Sequence, residues 1–222
     1  MKGRGIAGVL FDLDGVIVDT AGHHFGAWRD LAEELGISLV PEDEESLKGV
    51  SRVDSLEWIL AKGGLVLDSN TKRALMDRKN ARYLELIEGL GTADILPGAE
   101  AFILASKAHG WRVGLGSSSK NAVKILNAIG LSHHFEAIID GNRITLSKPD
   151  PEVFLLGAQA LGLDPHCCLV VEDASSGVAA GKAGGFPVLG VGDPDVLKGA
   201  DFVVSDLLDC TPQDIENRLG RS

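Results

Sequence analysis

The sequence predicts an α/β protein in which a mostly parallel sheet is flanked by helices and one helical segment is inserted. From residue 97 onward, short apolar runs alternate with segments of helical periodicity, the pattern of strands joined by right-handed crossovers. An earlier apolar run at 9–11 ends in Asp12, as expected of a buried parallel strand. Between the two lies a stretch, 21–90, with helical periodicity and no convincing strand. We therefore predict that 21–90 is inserted after the first strand.

Three helices are predicted within 21–90, where apolar residues recur at three- and four-residue steps. They begin after Thr20, at Ser51 and at about residue 70. Ser51 has Asp54 three residues on, as in a capping box. Glycines at 36 and 63–64 are placed to end the first two helices.

The remaining elements alternate along the second half of the chain. Helices near 99–109, at 120–129, near 151–161 and after Asp173 are interleaved with strands at 111–116, 137–139, 168–171, 188–191 and 202–204. With the strand at 9–11, this pattern assigns residues 1–20 and 91–222 to an α/β core domain and 21–90 to a helical domain.

The composition limits the possible functions. With 222 residues, the chain suits one large domain or a core that carries a smaller one. A net charge of −11 and a pI near 4.9 argue against nucleic acid or an anionic membrane surface as the main partner. No signal peptide is visible, and no apolar run approaches the roughly 20 residues of a membrane span. Three cysteines without metal-like spacing fit a reducing compartment, so we expect a cytoplasmic protein.

Asp12 and Asp14 are the first candidates for chemistry. They follow the strand at 9–11, at the carboxyl edge where open α/β sheets bind ligands, and Gly15 permits a tight turn after them. Two carboxylates this close stay ionised together when a cation neutralises them, and Mg²⁺ prefers oxygen ligands. One carboxylate can then attack phosphorus while the other moves a proton. The alternative is an Asx-type turn with solvated acids, which is the preferred interpretation of an isolated Asp-x-Asp pair.

Three more polar segments are predicted at the same edge. They are Ser117, Ser118 and Ser119 with Lys120 and Asn121, then Lys148, and finally Glu172 with Asp173. Hydroxyls and free backbone N–H groups at a helix start suit a phosphate, and a lysine can balance the charge of a transferring phosphoryl group. The acidic pair can complete an oxygen-rich shell for Mg²⁺. Taken alone, these residues are helix caps, a surface lysine and turn acids. Together with the first two aspartates they indicate a phosphate site.

The order and intervals of these motifs resemble the haloacid dehalogenase superfamily over essentially the whole chain. The resemblance implies a Rossmann-like core, with the inserted helices acting as a cap over the site. It implies that Asp12 is the residue that becomes phosphorylated and that Asp14 is the general acid/base. It implies that Ser117 and Lys148 bind the transferring phosphate. The metal ligands implied for Mg²⁺ are Asp12, Asp14, Glu172 and Asp173.

Residues of the insert and of the core resemble, more narrowly, the β-phosphoglucomutases of that superfamily. The runs that carry this resemblance are 47–56, 78–80, 119–121 and 147–154, with His24 and its neighbours. The substrate-binding residues that it implies are Ser117, Ser118, Ser119, Lys120, Asn121 and Lys148 of the core, and His24, Lys48, Gly49, Val50, Arg52 and Lys79 of the insert. Arg52 would hold the distal phosphate with the 119–121 run, because a mutase must grip a bisphosphate away from its carboxylates.

The other insert residues have smaller roles in this interpretation. Gly49 and Val50 would contact the sugar, and His24, Lys48 and Lys79 would support cap closure and proton positioning. Each has a simpler alternative: His24 as a histidine on a helix face, Lys48 as a loop charge, and Arg52 as an ordinary residue of a first helical turn.

The expected function is therefore interconversion of β-D-glucose 1-phosphate and glucose 6-phosphate through phospho-Asp12. Mg²⁺ is the expected cofactor, and glucose 1,6-bisphosphate is the expected intermediate and activator. The expected partners are small sugar phosphates, and a monomer is expected because the cap needs room to move. The nearest alternative is a Mg²⁺-dependent sugar-phosphate phosphatase with the same core. A catalytically silent sugar-phosphate sensor is a further alternative, against which the intact set of motifs argues.

Overall fold

A six-stranded sheet forms the centre of the computed structural model, which describes residues 5–220. Its strands are β1 (Gly8–Phe11), β2 (Arg112–Gly116), β3 (Ala137–Ile139), β4 (Cys168–Glu172), β5 (Val188–Val191) and β6 (Phe202–Val204). Their order is β3-β2-β1-β4-β5-β6, and all neighbours run parallel. β1 and β4 are adjacent, with Phe11 opposite Val171, so the acidic residues that follow both strands meet at one edge. The predicted class, an α/β fold with a mostly parallel sheet, is confirmed.

Nine α-helices are found in the described part of the chain. They are α1 (Ala21–Glu34), α2 (Glu44–Leu47), α3 (Arg52–Lys62), α4 (Ser69–Leu86), α5 (Ala99–Ala108), α6 (Ala122–Ala128), α7 (Glu152–Ala160), α8 (Ser175–Ala183) and α9 (Pro212–Arg218). Within residues 5–220, none of them combines the length and the apolar composition needed to cross a membrane.

The helix ends follow the local signals in the sequence. The hydroxyl of Ser51 accepts a hydrogen bond from the backbone N–H of Asp54 at 3.1 Å, so α3 begins where the capping pattern predicted. Gly36 follows α1 with a φ of +74°, a left-handed conformation that costs glycine little. The helices α2 and α9, of four and seven residues, were not predicted, because each contains only one leucine or isoleucine and so shows no apolar period.

β1 is buried on both faces, which explains its continuous apolar run. Val9 and Phe11 pack into one cluster of buried side chains, and Leu10 packs into a second cluster on the other face. The Phe11 ring meets the edge of Phe102 at a centroid distance of 5.8 Å. Burial of each such side chain stabilises the fold by about 1.5–3 kcal/mol, so β1 is anchored firmly directly before Asp12.

The helices α1, α2, α3 and α4 occupy the segment between β1 and α5. Side chains from α1, α3 and α4, including Trp28, Ile59 and Leu75, form a third cluster of buried residues. Ala27 and Tyr83 pack instead with the cluster on the sheet, so the same helices also contact the core. The inserted helices thus have apolar packing of their own beside the carboxyl edge of the sheet.

Candidate active site

A buried lysine lies between two carboxylates at the carboxyl edge of the sheet. Lys148 Nζ donates to Asp12 Oδ1 and to Glu172 Oε1, each at 2.5 Å, and the Lys148 side chain is fully buried. The other oxygen of Glu172 accepts from the backbone N–H groups of Asp173 at 3.0 Å and Ala174 at 3.1 Å. Every oxygen of Glu172 therefore has a partner, which is what a charge completely removed from water requires.

Burial and neighbouring charges shift the pKa values of these groups. Burial raises the pKa of Glu172 to about 7, although the Lys148 ammonium opposes that rise. Burial acts to lower the pKa of Lys148, but Asp12 and Glu172 outweigh it and raise that pKa above its ordinary value, so the ammonium stays charged.

Asp12, Glu172 and Asp173 form a group that could hold a metal ion. Each offers a carboxylate oxygen, and these oxygens lie within 4.8 Å of one another. Burial and the charges of Glu172 and Asp12 raise the pKa of Asp173 well above its ordinary value, the mark of an acidic cluster that a cation would stabilise. Gly15, with a φ of +82°, leaves space for the side chain of Asp173, because a Cβ at position 15 would lie 2.1 Å from Asp173 Oδ2. Such a donor set fits a hard, oxygen-seeking ion such as Mg²⁺.

The carboxylate of Asp14 lies outside this group, although the sequence motif placed it among the metal ligands. Its Oδ1 accepts a hydrogen bond from the hydroxyl of Thr20, and His24 Nε2 lies 3.8 Å from it. Burial, and then the charge of Asp12, raise the pKa of Asp14 to about 6. A carboxyl group with that pKa can both accept and donate a proton near neutral pH.

The buried Lys79 and the half-buried His24 form a pair on the inserted helices. Lys79 Nζ is hydrogen-bonded to His24 Nδ1 at 2.8 Å and lies 4.9 Å from the ring centroids of both Trp28 and Tyr83. Burial, and then the charge of Arg52, lower the pKa of Lys79 to about 7. Burial and Lys79 lower the pKa of His24 well below its ordinary value, so the imidazole stays neutral. When Lys79 is charged it can only donate, so Nδ1 accepts and the proton of the ring is on Nε2, the nitrogen that lies 3.8 Å from Asp14 Oδ1.

Arg52 reaches the core through an asparagine that was not predicted. Its Nη2 donates to Asn80 Oδ1 at 2.7 Å, and Asn121 Nδ2 donates to the same oxygen at 3.0 Å. Arg52 belongs to α3, Asn80 to α4 and Asn121 to the loop before α6, so three segments meet there. Burial lowers the pKa of Arg52, although a guanidinium stays charged at all ordinary pH values.

A cavity of about 1120 Å³ between the inserted helices and the sheet edge brings the predicted residues together. Those that line it are Asp12, Asp14, His24, Lys48, Gly49, Val50, Arg52, Lys79, Ser117, Ser118, Ser119, Lys120, Lys148 and Asp173. Two predicted residues do not line the cavity. Glu172 is completely buried, and Asn121 donates to Asn80, which is bonded to Arg52. Residues predicted from seven separate segments of the chain thus share one site.

The inserted helices are bonded to the core around this cavity. The hydroxyl of Ser118 donates to the backbone oxygen of Gly49 at 2.8 Å, and the hydroxyl of Ser176 donates to that of Lys48 at 3.0 Å. Lys48 Nζ also lies 3.8 Å from Asp173 Oδ2. These contacts describe a closed arrangement of the insert over the strand ends.

Residues 6–185 match the haloacid dehalogenase-like hydrolase family, which covers most of the chain. The protein belongs to this haloacid dehalogenase family. The predicted resemblance to the superfamily is therefore confirmed.

Several relatives within the haloacid dehalogenase family are similar over nearly the whole chain. The β-phosphoglucomutase of Bacillus subtilis strain 168 is 42% identical over 205 residues, which cover 91% of each chain. The crystal structure of β-phosphoglucomutase from Clostridium difficile matches with a TM-score of 0.93 at 38% identity and covers 97% of both chains. The fructose-1-phosphate phosphatase of Escherichia coli is 31% identical and covers 83% of this chain and 96% of its own. The narrower resemblance to β-phosphoglucomutases is confirmed, and a phosphatase of the same family is similar at lower identity.

Two residues of this haloacid dehalogenase family member were missed by sequence reasoning. Thr20 is completely buried and donates to Asp14, but no role in the site was predicted for it. Asn80 joins Arg52 to Asn121, but a single asparagine within a helix carries no periodic or charge signal. Its place in the run 78–80, one of those that resemble the β-phosphoglucomutases, was the available indication.

Proposed function

We propose that the protein is a Mg²⁺-dependent β-phosphoglucomutase that interconverts β-D-glucose 1-phosphate and glucose 6-phosphate. The observation that carries this proposal is that one cavity encloses both the buried carboxylates at the strand ends and Arg52 of the insert. A phosphatase needs only the carboxylates at the strand ends. A mutase also needs a positively charged side chain, such as the guanidinium of Arg52, to hold the phosphate that is not reacting. The similarity to β-phosphoglucomutases over 91% of the chain supports the same assignment.

The division of labour follows from the contacts. Asp12 is the nucleophile, because it ends a firmly packed strand and borders the cavity. Lys148 and Ser117 neutralise and position the phosphoryl group as it moves, which stabilises the negative charge of the transition state. Asp14 handles the proton, since its pKa of about 6 is suited to both directions of transfer.

The reaction then balances in two half-steps. Phospho-Asp12 gives its phosphoryl group to the 6-hydroxyl of glucose 1-phosphate: the new O–P bond forms, the aspartyl O–P bond breaks, and Asp14 takes the hydroxyl proton. The β-glucose 1,6-bisphosphate so formed turns over within the site. Asp12 then attacks the phosphorus on C1, and Asp14 returns its proton to the leaving oxygen. Added glucose 1,6-bisphosphate activates the protein because it phosphorylates Asp12.

Mg²⁺ has a single place in this scheme. Asp12, Glu172 and Asp173 would hold it, and when bound it offsets negative charge on the phosphoryl group and on the carboxylates. We assign Asp14 to proton transfer and not to the metal, because its carboxylate is engaged by Thr20.

The insert, residues 21–90, acts in this proposal as a cap that closes over the bisphosphate. Arg52, supported by Asn80 and Asn121, holds the distal phosphate together with Ser119 and Lys120. The backbone at Gly49 and Val50 borders the sugar, and His24 with Lys79 orients the carboxyl of Asp14. Ser118 and Lys48 connect the cap to the core, and closure excludes water that would hydrolyse phospho-Asp12.

The test is turnover of β-D-glucose 1-phosphate with Mg²⁺ and a trace of the 1,6-bisphosphate, in which glucose 6-phosphate and free phosphate are followed together. Rapid formation of glucose 6-phosphate with little free phosphate is expected. Asp12→Asn should lower turnover by at least about 1000-fold, because an amide is not a nucleophile towards phosphorus. Release of mainly free phosphate by the wild type would instead assign a sugar-phosphate phosphatase. Full activity of Asp12→Asn would refute the nucleophile.

A further inference from the structure

One contact between the insert and the core involves no residue assigned to phosphate, sugar or metal at either end. The hydroxyl of Ser147 donates to Asp54 Oδ2 at 2.5 Å, across 93 positions of sequence. Both residues line the cavity, while Asp54 is exposed and Ser147 half-buried, so the contact lies at the rim of the cavity. A hydrogen bond to an ionised acceptor is among the stronger kinds.

Asp54 is fixed in place before it meets the core. Its Oδ2 accepts a hydrogen bond from Ser51 Oγ at 2.6 Å, and its backbone N–H donates back to that hydroxyl at 3.1 Å. This reciprocal pair caps the first turn of α3, where the helix dipole favours a negative charge. The carboxylate is therefore held in one orientation, so less conformational freedom is lost when it bonds to Ser147.

Ser147 is joined directly to catalytic machinery. The next residue is Lys148, whose ammonium is held between Asp12 and Glu172. On the other side, Asp54 shares the first turn of α3 with Arg52. The contact thus ties the turn that carries the distal-phosphate arginine to the loop that carries the phosphoryl-binding lysine.

The other contacts between insert and core are less suited to hold the cap through turnover. The contact of Ser118 with Gly49 includes a residue that borders the sugar. The contact of Asn121 with Asn80 supports the arginine that holds the distal phosphate, and that of Ser176 with Lys48 includes a lysine that lies beside Asp173 of the metal group. Such residues form new contacts whenever the bisphosphate enters, turns or leaves. A contact between Ser175 and Glu45 avoids them but is long, at 3.4 Å.

We propose that the Ser147–Asp54 hydrogen bond is a latch that keeps the cap closed while the bisphosphate turns over, and that it sets how phospho-Asp12 partitions between the sugar hydroxyl and water. This inference rests on the proposed function. Loss of the latch increases the open fraction of the cap, so water reaches the aspartyl phosphate more often. Both groups act through the position of the cap and neither touches the reacting atoms.

Ser147→Ala tests the partition most directly, because it removes the donor and leaves the cap of α3 intact. It should raise the ratio of free phosphate to glucose 6-phosphate by about threefold to tenfold, the range expected for one rim hydrogen bond to a charged group. Ser147→Thr, which retains the hydroxyl, should restore the wild-type ratio. Ser175→Ala is the matched control and should leave the ratio unchanged. An unchanged ratio in Ser147→Ala would overturn the proposed effect on partition.

Asp54→Ala provides the second half of a double-variant cycle. If the two groups act through one bond, Ser147→Ala should have no further effect on the ratio in the Asp54→Ala background. Glu57→Gln is the control for removal of a negative charge, because Glu57 also belongs to α3 and pairs with Lys72 outside the cavity. Additive effects of the two substitutions would show that Ser147 and Asp54 act independently and would overturn the latch.

Hydrogen exchange of the whole protein without substrate separates the latch from the proposed chemistry. Backbone amides at 47–51 and 117–121, which border the cavity, should exchange about threefold to tenfold faster in Ser147→Ala than in the wild type or Ser175→Ala. If the wild type formed no glucose 6-phosphate, the proposed function would fail while this exchange still tested the latch. Unchanged exchange in Ser147→Ala would overturn the latch whatever the reaction.

Discussion

Replacement of Lys148 by methionine tests the buried charge arrangement on which the site depends. The ammonium is removed from between Asp12 and Glu172, both of which are at least 94% buried in their side chains. Removal of one member of a buried ion pair costs about 3–5 kcal/mol, because the remaining charge is left in a medium that solvates it poorly. We therefore expect Lys148→Met to lose about 3–5 kcal/mol of unfolding free energy at pH 8.5.

The same loss should depend on pH in a defined direction. In the wild type burial raises the pKa of Glu172 to about 7 in the folded state, with the Lys148 ammonium opposing the rise, against 4.5 for a free glutamate. Without that ammonium the folded pKa rises further. A raised carboxyl pKa makes the folded state bind more protons than the unfolded state, so stability falls as pH rises from 4.5 to the folded pKa. In Lys148→Met the unfolding free energy continues to fall above pH 7. The difference in unfolding free energy between the wild type and the variant should therefore be about 1–2 kcal/mol larger at pH 8.5 than at pH 6.

Urea unfolding at pH 6 and pH 8.5, with EDTA present so that no divalent ion replaces the ammonium, measures both quantities. Lys182→Met is the matched control, because Lys182 is 42% exposed and pairs with Asp201 at 2.8 Å on the surface. Such a pair contributes about 0–1 kcal/mol. If Lys148→Met lost no more stability than Lys182→Met, or lost the same amount at both pH values, the assignment of Lys148 as a compensating buried charge would be refuted.

Two further predictions concern the insert. Arg52→Ala should lower formation of glucose 6-phosphate by about 100-fold or more but release of free phosphate by less than about tenfold, because only the mutase needs the distal phosphate held; equal losses in the two rates would contradict the role of Arg52. Lys79 has a folded pKa of about 7 against 10.5 for a free lysine, so the unfolded state binds more protons between these values and the contribution of Lys79 to stability rises with pH. From pH 7 to pH 9 the unfolding free energy of the wild type should therefore rise relative to Lys79→Met by about 2 kcal/mol; parallel pH profiles in urea unfolding would show that Lys79 is not buried as described.

Much of the fold could be predicted because its signals are local. A strand buried on both faces needs a continuous apolar run, as at 9–11, and an amphipathic helix needs its three- and four-residue steps. The start of α3 followed from Ser51 and Asp54, since capping groups lie within one turn of each other. Where a helix contains too few apolar residues to show a period, as in α2 and α9, prediction failed.

The sequence by itself determined which chemical groups this protein brings to the carboxyl edge, because strand ends and motif spacing are recorded along the chain. Only the tertiary structure decided which of those groups contact one another. The hydroxyl of Thr20 donates to the carboxylate of Asp14, and Asn80 joins Arg52 to Asn121. The pKa of Lys79 likewise depends on burial between rings from two helices. Burial and contacts between segments far apart in the chain arise only when helices pack, and no local pattern of residues contains them.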